Sequence, residues 1–329
     1  MRKKLIIILL SILSLSAVAQ TITLSDSSRI YLLTCTPGNQ VWSKYGHSGI
    51  RVEDPAKQID VVFNYGIFSL MEKGFYLKFI KGYTYYQLGI ESYPQFVKFY
   101  GKIGRQTYLQ ELNLTAEQKQ TVVDALMVNY QPENRHYLYN FVFDNCATRP
   151  YHLLKQALQD SIISDYQGYT GQPFRSTISH YTGRHSWVDF GINLLFGSKA
   201  DAAMTSEQRL FLPEELMFYL SEARLSDGTP LVTRQHIQPF TIAPVPWYAD
   251  SRWGIALFAI LMIAISYWDR RRNRLSWWID AILCLAYLIL LGIVIFLTFF
   301  SVHPLVGFSW RLIILPSIHL CARLIYWLR

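Results

Sequence analysis

Three long apolar runs near the C-terminus constrain the fold of this chain more than any other feature. They cover residues 253–268, 277–300 and 311–328. A helix needs about 20 mainly apolar residues to cross a bilayer. The second run meets that length, the first is short, and the third is interrupted by Pro316, His319 and Arg323. We interpret all three runs as transmembrane helices.

The only dense basic cluster lies between the first two runs. It is the tract DRRRNR at 269–274, in a chain whose formal net charge is +8. Lys and Arg concentrate in cytoplasmic loops. The tract therefore predicts a cytoplasmic loop, with residues 301–310 back outside and the C-terminus inside. We interpret the tract as a signal that orients the membrane helices, not as a patch that binds phosphates. We therefore expect no nucleic-acid partner.

The N-terminus has the organisation of a secretory signal peptide. Three basic residues at 2–4 precede an apolar core at 5–15, and the small residues at 17–19 fit a cleavage site. We expect a signal peptide at 1–19 and a mature chain from Gln20, with an uncleaved anchor as the alternative. The division that follows is an exported domain at 20–250 and a membrane domain at 251–329.

The exported domain mixes two periodicities, which predicts an α+β fold with an antiparallel sheet. Strand-like segments are separated by turn signals such as Asp54-Pro55. Helical spacing and N-cap signals mark the remainder. The predicted strands are 29–35, 47–53, 60–65, 84–90 and 106–114, and the predicted helices are 68–82, 94–100 and 116–130.

The stretch FVFDNCATRPYHLL at 141–154 is the best candidate for a reactive site. Its aromatic start is strand-like, and Asp144 and Asn145 are good N-cap residues directly before Cys146. A helix N-terminus favours a thiolate through its unpaired N–H groups and its dipole. The alternative is an inert cysteine in the core. Cys35 is the one candidate disulfide partner outside the apolar runs, so we expect Cys146 to be free.

A nucleophilic cysteine needs a base, and His47 is the best placed of the eight histidines. It begins a predicted strand between Gly46 and Ser48, whose small size lets another segment approach closely. Strand alternation puts His47 on the same face as Gly49 and Arg51. A structural histidine is the alternative at such a position.

These segments resemble a known family. YGHSGIRV at 45–52, NYG at 64–66 and FDNCATR at 143–149 are similar to the circularly permuted papain-like branch that includes lecithin:retinol acyltransferase-like enzymes. With the signal peptide, the FLPEEL segment at 211–216 and the C-terminal spans, the whole chain resembles the Lnb-type lipoprotein N-acyltransferases. The resemblance implies a permuted papain-like catalytic domain in the periplasm, anchored in the inner membrane by three helices.

The resemblance also implies a reaction. Cys146 and His47 would carry over as the catalytic dyad, with a third polar residue from the next strand, by position Asn64 or alternatively Asp60. An acyl chain would pass from a membrane phospholipid to a thioester on Cys146, and then to the α-amine of a lipoprotein's N-terminal diacylglyceryl-cysteine.

Support for the oxyanion of that reaction is left open by the sequence. The backbone N–H of Cys146 would be one donor, and Asn145 or Tyr45 would supply another. A group of aromatic residues would line the approach to the bilayer or pack as interface or ordinary core: Tyr83, Tyr85, Tyr86, Trp247 and Tyr248.

Two other functions remain open from the residues alone. The same dyad suits a membrane-anchored cysteine peptidase or amidase of the cell wall, or a lipid hydrolase. The other alternative is an inactive membrane scaffold. This alternative predicts that Cys146 is dispensable. The sequence contains no HExxH, CxxC or GxSxG motif, so we expect no metal, no cofactor and no serine nucleophile.

Overall fold

An antiparallel sheet forms the centre of the exported domain. The computed structural model describes residues 22–69, 71, 73–159 and 161–309. The predicted signal peptide and the predicted third transmembrane helix lie outside these residues. In the described part the sheet has seven strands in the order β6-β4-β3-β2-β1-β5-β7. The strands are β1 Arg29–Cys35, β2 His47–Asp54, β3 Ile59–Ile67, β4 Tyr85–Ser92, β5 Thr107–Leu112, β6 His136–Leu138 and β7 Val232–Gln235.

Helices cover both faces of the sheet, and two further helices form the described part of the membrane domain. The prediction of an α+β fold with an antiparallel sheet is confirmed. The helices are α1 Phe75–Lys81, α2 Tyr93–Lys102, α3 Ala116–Tyr130, α4 Thr148–Ala157, α5 Phe174–Thr182, α6 Trp187–Leu195, α7 Pro213–Glu222, α8 Ser251–Arg272 and α9 Trp277–Phe300.

The alternation of side chains along β2 and β3 determines which residues lie on each face of the sheet. Ile50 opposes Phe63 across the hairpin, and both belong to the main core beneath α3, α4 and α7. Residues of the other parity face α2, where Val62 packs against Phe96 and Tyr100. His47 shares that second face, because side chains of a strand alternate between its two sides.

Two local predictions are wrong. Among the described residues of the predicted helix 68–82, only Phe75–Lys81 are helical, because Gly74 and Gly82 adopt left-handed conformations at φ 75° and 78° that begin and end the helix. The aromatic run Phe141–Phe143 is a turn rather than a strand. It is closed by mutual backbone hydrogen bonds between Asn140 and Asp144, both 3.0 Å.

The segment between α4 and α7 is attached to the sheet domain through a buried ion pair. Arg209 Nη1 donates to Glu215 at 2.8 Å, and both side chains are almost fully buried. The Glu215 carboxylate also accepts from the Tyr166 hydroxyl and the Tyr169 backbone N–H. The FLPEEL segment therefore holds residues 166–169 in place from the first turn of α7.

Helices α8 and α9 are long and apolar enough to span a membrane, and most of their side chains are exposed. The segment after α9 returns to the exported domain. The Val302 N–H donates to the Lys81 carbonyl, and the Gly197 N–H donates to the Leu305 carbonyl, both at 2.9 Å. These contacts hold residues 301–309 against the exported domain. The charge pattern predicts that this segment lies outside the cytoplasm.

Candidate active site

His47, Asn64 and Glu91 form a hydrogen-bonded line across three neighbouring strands. The His47 Nε2 lies 2.7 Å from Asn64 Oδ1, and Asn64 Nδ2 donates to Glu91 Oε1 at 2.8 Å. β3 pairs with β4 so that Asn64 opposes Gly89. Glu91 is then the diagonal neighbour on the same face, a position from which side chains of adjacent strands still reach each other.

This line determines the tautomer of His47. The carboxylate of Glu91 accepts only, so it holds the amide nitrogen of Asn64 towards itself and turns Oδ1 towards the imidazole. An amide oxygen also accepts only, so His47 Nε2 carries the proton and donates. The lone pair of the neutral ring then resides on Nδ1. His47 is thereby prepared to accept a proton at Nδ1.

Cys146 lies immediately before α4, in a turn held by Asn145. The Asn145 Oδ1 accepts from the backbone N–H groups of Ala147 and Thr148 at 2.8 and 3.0 Å. Its Nδ2 donates to the carbonyls of Phe141 and Phe211 at 2.7 and 2.8 Å. The helix itself is capped at Ala147, and the Asn145 side chain holds the preceding turn through its oxygen and both amide hydrogens, which fixes Cys146 in position.

Gly66 shows how close Cys146 lies to His47. A methyl group built on Gly66 would sit 3.7 Å from Cys146 Cβ and 3.8 Å from His47 Cε1. Gly66 has a φ of 94°, a conformation that glycine adopts readily. The sheet and the start of α4 therefore bring the predicted nucleophile and base to opposite sides of one small space.

Partial burial favours the neutral form of both groups. Desolvation lowers the pKa of His47 to about 4, although its hydrogen bond to Asn64 opposes this change. Desolvation raises the pKa of Cys146, against the opposing effects of a Ser48 backbone N–H and the nearby Arg105 cation. A neutral thiol beside a neutral imidazole corresponds to general-base activation of the thiol during attack. The helix terminus favours a preformed thiolate, whereas the loss of solvation opposes it and is the larger effect on the pKa of Cys146.

Tyr100 and Arg105 complete the surroundings of His47. The Tyr100 ring stacks on the imidazole with centroids 5.9 Å apart. The Arg105 guanidinium lies 4.8 Å from the centre of the Tyr100 ring, and its Nε donates to the Thr36 carbonyl at 2.5 Å. This buried cation lowers the pKa of both His47 and Cys146.

Three other residues singled out from the sequence make structural contacts, and one of them, Cys35, lies opposite His47 on β1. Asp60 pairs with Arg51 at 2.7 Å, four positions before Asn64 on β3. Tyr45 packs against Phe141 with ring centroids 4.6 Å apart. Cys35 is free and fully buried, and burial raises its pKa to about 12, which makes it an inert core thiol.

Comparison with known families bears on both parts of the chain. Residues 17–175 match the Lnb N-terminal periplasmic domain, and residues 253–329 match the Lnb transmembrane domain. The chain belongs to the Lnb family. It is an inner-membrane protein with a periplasmic N-terminal domain and a C-terminal transmembrane region. No curated protein and no solved structure gave a significant match.

The periplasmic match includes the segments that carry Cys146 and His47. Sequence reasoning did not identify Glu91, Tyr100 or Arg105. Glu91 is separated from Asn64 by a helix and a turn along the chain, and only the β3–β4 register brings the two together. Alternation along β4 would have placed Glu91 and Gly89 on one face, but it does not specify which strand lies beside it.

Proposed function

We propose that this Lnb-type protein is a lipoprotein N-acyltransferase in which Cys146 carries the acyl chain as a thioester. The observation that carries the proposal is the line from Cys146 past His47 to Asn64 in a periplasmic domain attached to a membrane domain. The donor is a membrane phospholipid. The acceptor is the α-amine of the diacylglyceryl-cysteine at a lipoprotein N-terminus.

The first half-reaction forms the thioester. His47 Nδ1 takes the thiol proton while the Cys146 sulfur attacks the ester carbonyl of the phospholipid. Collapse of the tetrahedral intermediate breaks the ester C–O bond, and the proton on His47 passes to the departing alcohol of the lysophospholipid. Asn64 holds the imidazolium through Nε2 during this step.

The second half-reaction transfers the acyl chain to nitrogen. The lipoprotein α-amine attacks the thioester carbonyl, and the C–S bond breaks to leave an amide. His47 accepts the proton from the amine and returns it to the Cys146 sulfur. No water takes part, so an acyltransferase must admit a lipid amine more readily than water.

The surface beside the membrane domain supports lipid substrates. α1 exposes the apolar side chains of Leu77, Phe79 and Ile80, and His303 Nε2 lies 2.7 Å from the Phe79 carbonyl. His303 belongs to the segment that leaves α9 at the membrane surface. α1 is thereby held against the end of a membrane helix, where exposed apolar side chains suit a lipid interface.

The finer architecture is part of the same proposal. We assign a cleaved signal peptide at 1–19, a permuted papain-like catalytic domain at 20–250 and a three-helix membrane domain at 251–329. The order of the histidine strand before the cysteine helix supports the permuted papain-like assignment. The hydrogen bond from His47 to an asparagine supports it as well.

Lipoprotein mass spectrometry tests the function in cells. In a strain that depends on this protein, we expect Cys146→Ala and His47→Ala to abolish N-acylation of a lipoprotein N-terminal peptide without lowering protein abundance. Cys284→Ala is the matched control, because this exposed cysteine lies on α9 away from the site, and it should leave N-acylation intact.

Two results would contradict the proposal. Persistent N-acylation with either site variant would remove the dyad from the reaction. Cleavage of muropeptides by the purified protein, without acyl transfer, would instead assign it to the cell-wall peptidases.

A further inference from the structure

The hydroxyl of Tyr137 is a buried polar group without a partner among the residues that the structure describes. Tyr137 lies on β6 and is only 5% exposed. Its Oη has no hydrogen bond in the described part of the chain. Burying a polar group without a hydrogen bond is unfavourable, because the group gives up its hydrogen bonds to water. Such a group in a folded protein calls for an explanation.

The position of this hydroxyl supplies one. The methyl group built on Gly66, which would lie 3.7 Å from Cys146 Cβ and 3.8 Å from His47 Cε1, would also lie 4.0 Å from Tyr137 Oη. Apart from Gly66 and its two chain neighbours, no atom of the described residues comes closer to that point. Cys146, His47 and the unpaired hydroxyl thus surround one space, which is large enough for about one heavy atom. Gly66, Cys146 and His47 are partly exposed, so the space opens outward.

The Tyr137 ring is held firmly in this position. The Arg149 guanidinium lies 3.6 Å from the ring centre, and Arg149 is itself held by Asp144 at 2.6 Å. Tyr65 packs edge-on against the same ring with centroids 6.5 Å apart. Burial raises the pKa of Tyr137 well above its ordinary value, so the hydroxyl keeps its proton and remains a donor.

Acyl transfer requires such a donor. When the cysteine sulfur attacks, a carbonyl π-electron pair moves onto the oxygen, and fixed hydrogen-bond donors stabilise the resulting charge. The side chain of Asn145, expected to serve here, has both amide hydrogens bound to carbonyls. The hydroxyl of Tyr137 is uncommitted and borders the same space as Cys146 Cβ and His47 Cε1.

We propose that Tyr137 is a catalytic residue whose hydroxyl donates a hydrogen bond to the carbonyl oxygen during acylation and deacylation of Cys146. The phenol keeps its proton throughout. The C=O bond re-forms when the ester C–O bond breaks, or when the thioester C–S bond breaks in the second half-reaction. The assignment rests on the proposed function only in requiring that Cys146 becomes acylated.

The test separates acylation from simple reactivity of the thiol. The full-length protein in detergent is treated with a short-chain p-nitrophenyl ester, whose carbonyl needs an oxyanion donor, and separately with iodoacetamide, which forms no oxyanion. We expect Tyr137→Phe to slow acylation of Cys146 by about 10²–10³-fold, the usual effect of removing one such donor. Alkylation by iodoacetamide should keep its wild-type rate.

Tyr65→Phe is the matched control. The Tyr65 hydroxyl belongs to the same aromatic cluster but accepts a hydrogen bond from Asn129 Nδ2 at 3.1 Å. Removing it perturbs the packing around Tyr137 without removing the proposed donor. This variant should acylate at the wild-type rate.

The remaining outcomes are distinguishable. The assignment is overturned if Tyr137→Phe acylates like the wild type, or if its acylation and alkylation slow down together. If the wild type reacts with the p-nitrophenyl ester but moves no acyl chain from phospholipid to lipoprotein, the proposed function fails while the role of Tyr137 stands. A wild type that no ester acylates overturns both.

Discussion

Replacing Asn64 with aspartate should raise the pH below which the protein loses activity, because the new carboxylate would contact His47. The imidazole of His47 donates from Nε2 to Asn64 Oδ1 at 2.7 Å, and its pKa is about 4 because the ring is buried beside a neutral partner. Asn64→Asp puts a negative charge at that contact. An adjacent opposite charge stabilises the imidazolium and raises its pKa.

The magnitude follows from the contact distance. A carboxylate in direct contact shifts the pKa of a neighbouring group by roughly 1–3 units. The pKa of His47 should therefore rise from about 4 to roughly 5–7. Glu91 must be changed as well, because it lies 2.8 Å from Asn64 Nδ2 and two carboxylates so close would share a proton. The informative variant is Asn64→Asp combined with Glu91→Gln.

The pH dependence of Cys146 acylation reports this pKa. His47 accepts a proton only when neutral, so the rate falls about tenfold for each pH unit below its pKa. The wild type should stay active down to about pH 5, whereas the double variant should lose activity below roughly pH 5–7. Glu91→Gln alone introduces no charge beside the ring and should keep the wild-type acid limit. An unchanged or lower limit in the double variant would refute the contact between His47 and Asn64.

Two further predictions concern the thiol and the fold. The raised pKa of Cys146 implies that thiolate forms only as the pH rises past its ordinary value of 9.0, so iodoacetamide alkylation should climb steadily from pH 5 to 9. A plateau across neutral pH would instead indicate a thiolate–imidazolium pair. Glu215→Gln leaves the Arg209 cation buried without its counter-charge, which should cost about 3–5 kcal/mol of stability. Thermal unfolding of the purified protein measures that loss, and an unchanged midpoint would show that the ion pair does not hold the segment.

The sequence predicts the parts of the site that depend on local patterns. Strand alternation and the turn at Asp54-Pro55 specify the β2–β3 hairpin, which places His47 and Asn64 on one face. The cap at Asn145 predicts a helix start close to Cys146, and that helix begins at Thr148. These predictions need only the residues within each segment.

The remainder depends on long-range packing that no local pattern reveals. Glu91 reaches Asn64 only through the β3–β4 register, and Tyr137 reaches the site from the edge strand β6. The aromatic residues Phe141–Phe143 favour a strand by type, but Asn140 Oδ1 accepts hydrogen bonds from the backbone N–H groups of Val142 and Phe143 and closes a turn there. The raised pKa of Cys146 depends on how far the folded chain removes the thiol from solvent, which the sequence does not display.

The intact mass of the protein after incubation with phospholipid, without a lipoprotein acceptor, tests the central claim most directly. A thioester on Cys146 predicts a gain of one acyl chain that hydroxylamine removes, and loss of this labile adduct in the Cys146→Ser variant. Adding a diacylglyceryl-cysteine peptide should discharge the adduct onto its α-amine. An unmodified mass, or an acyl group that resists hydroxylamine or resides on another residue, would contradict the account.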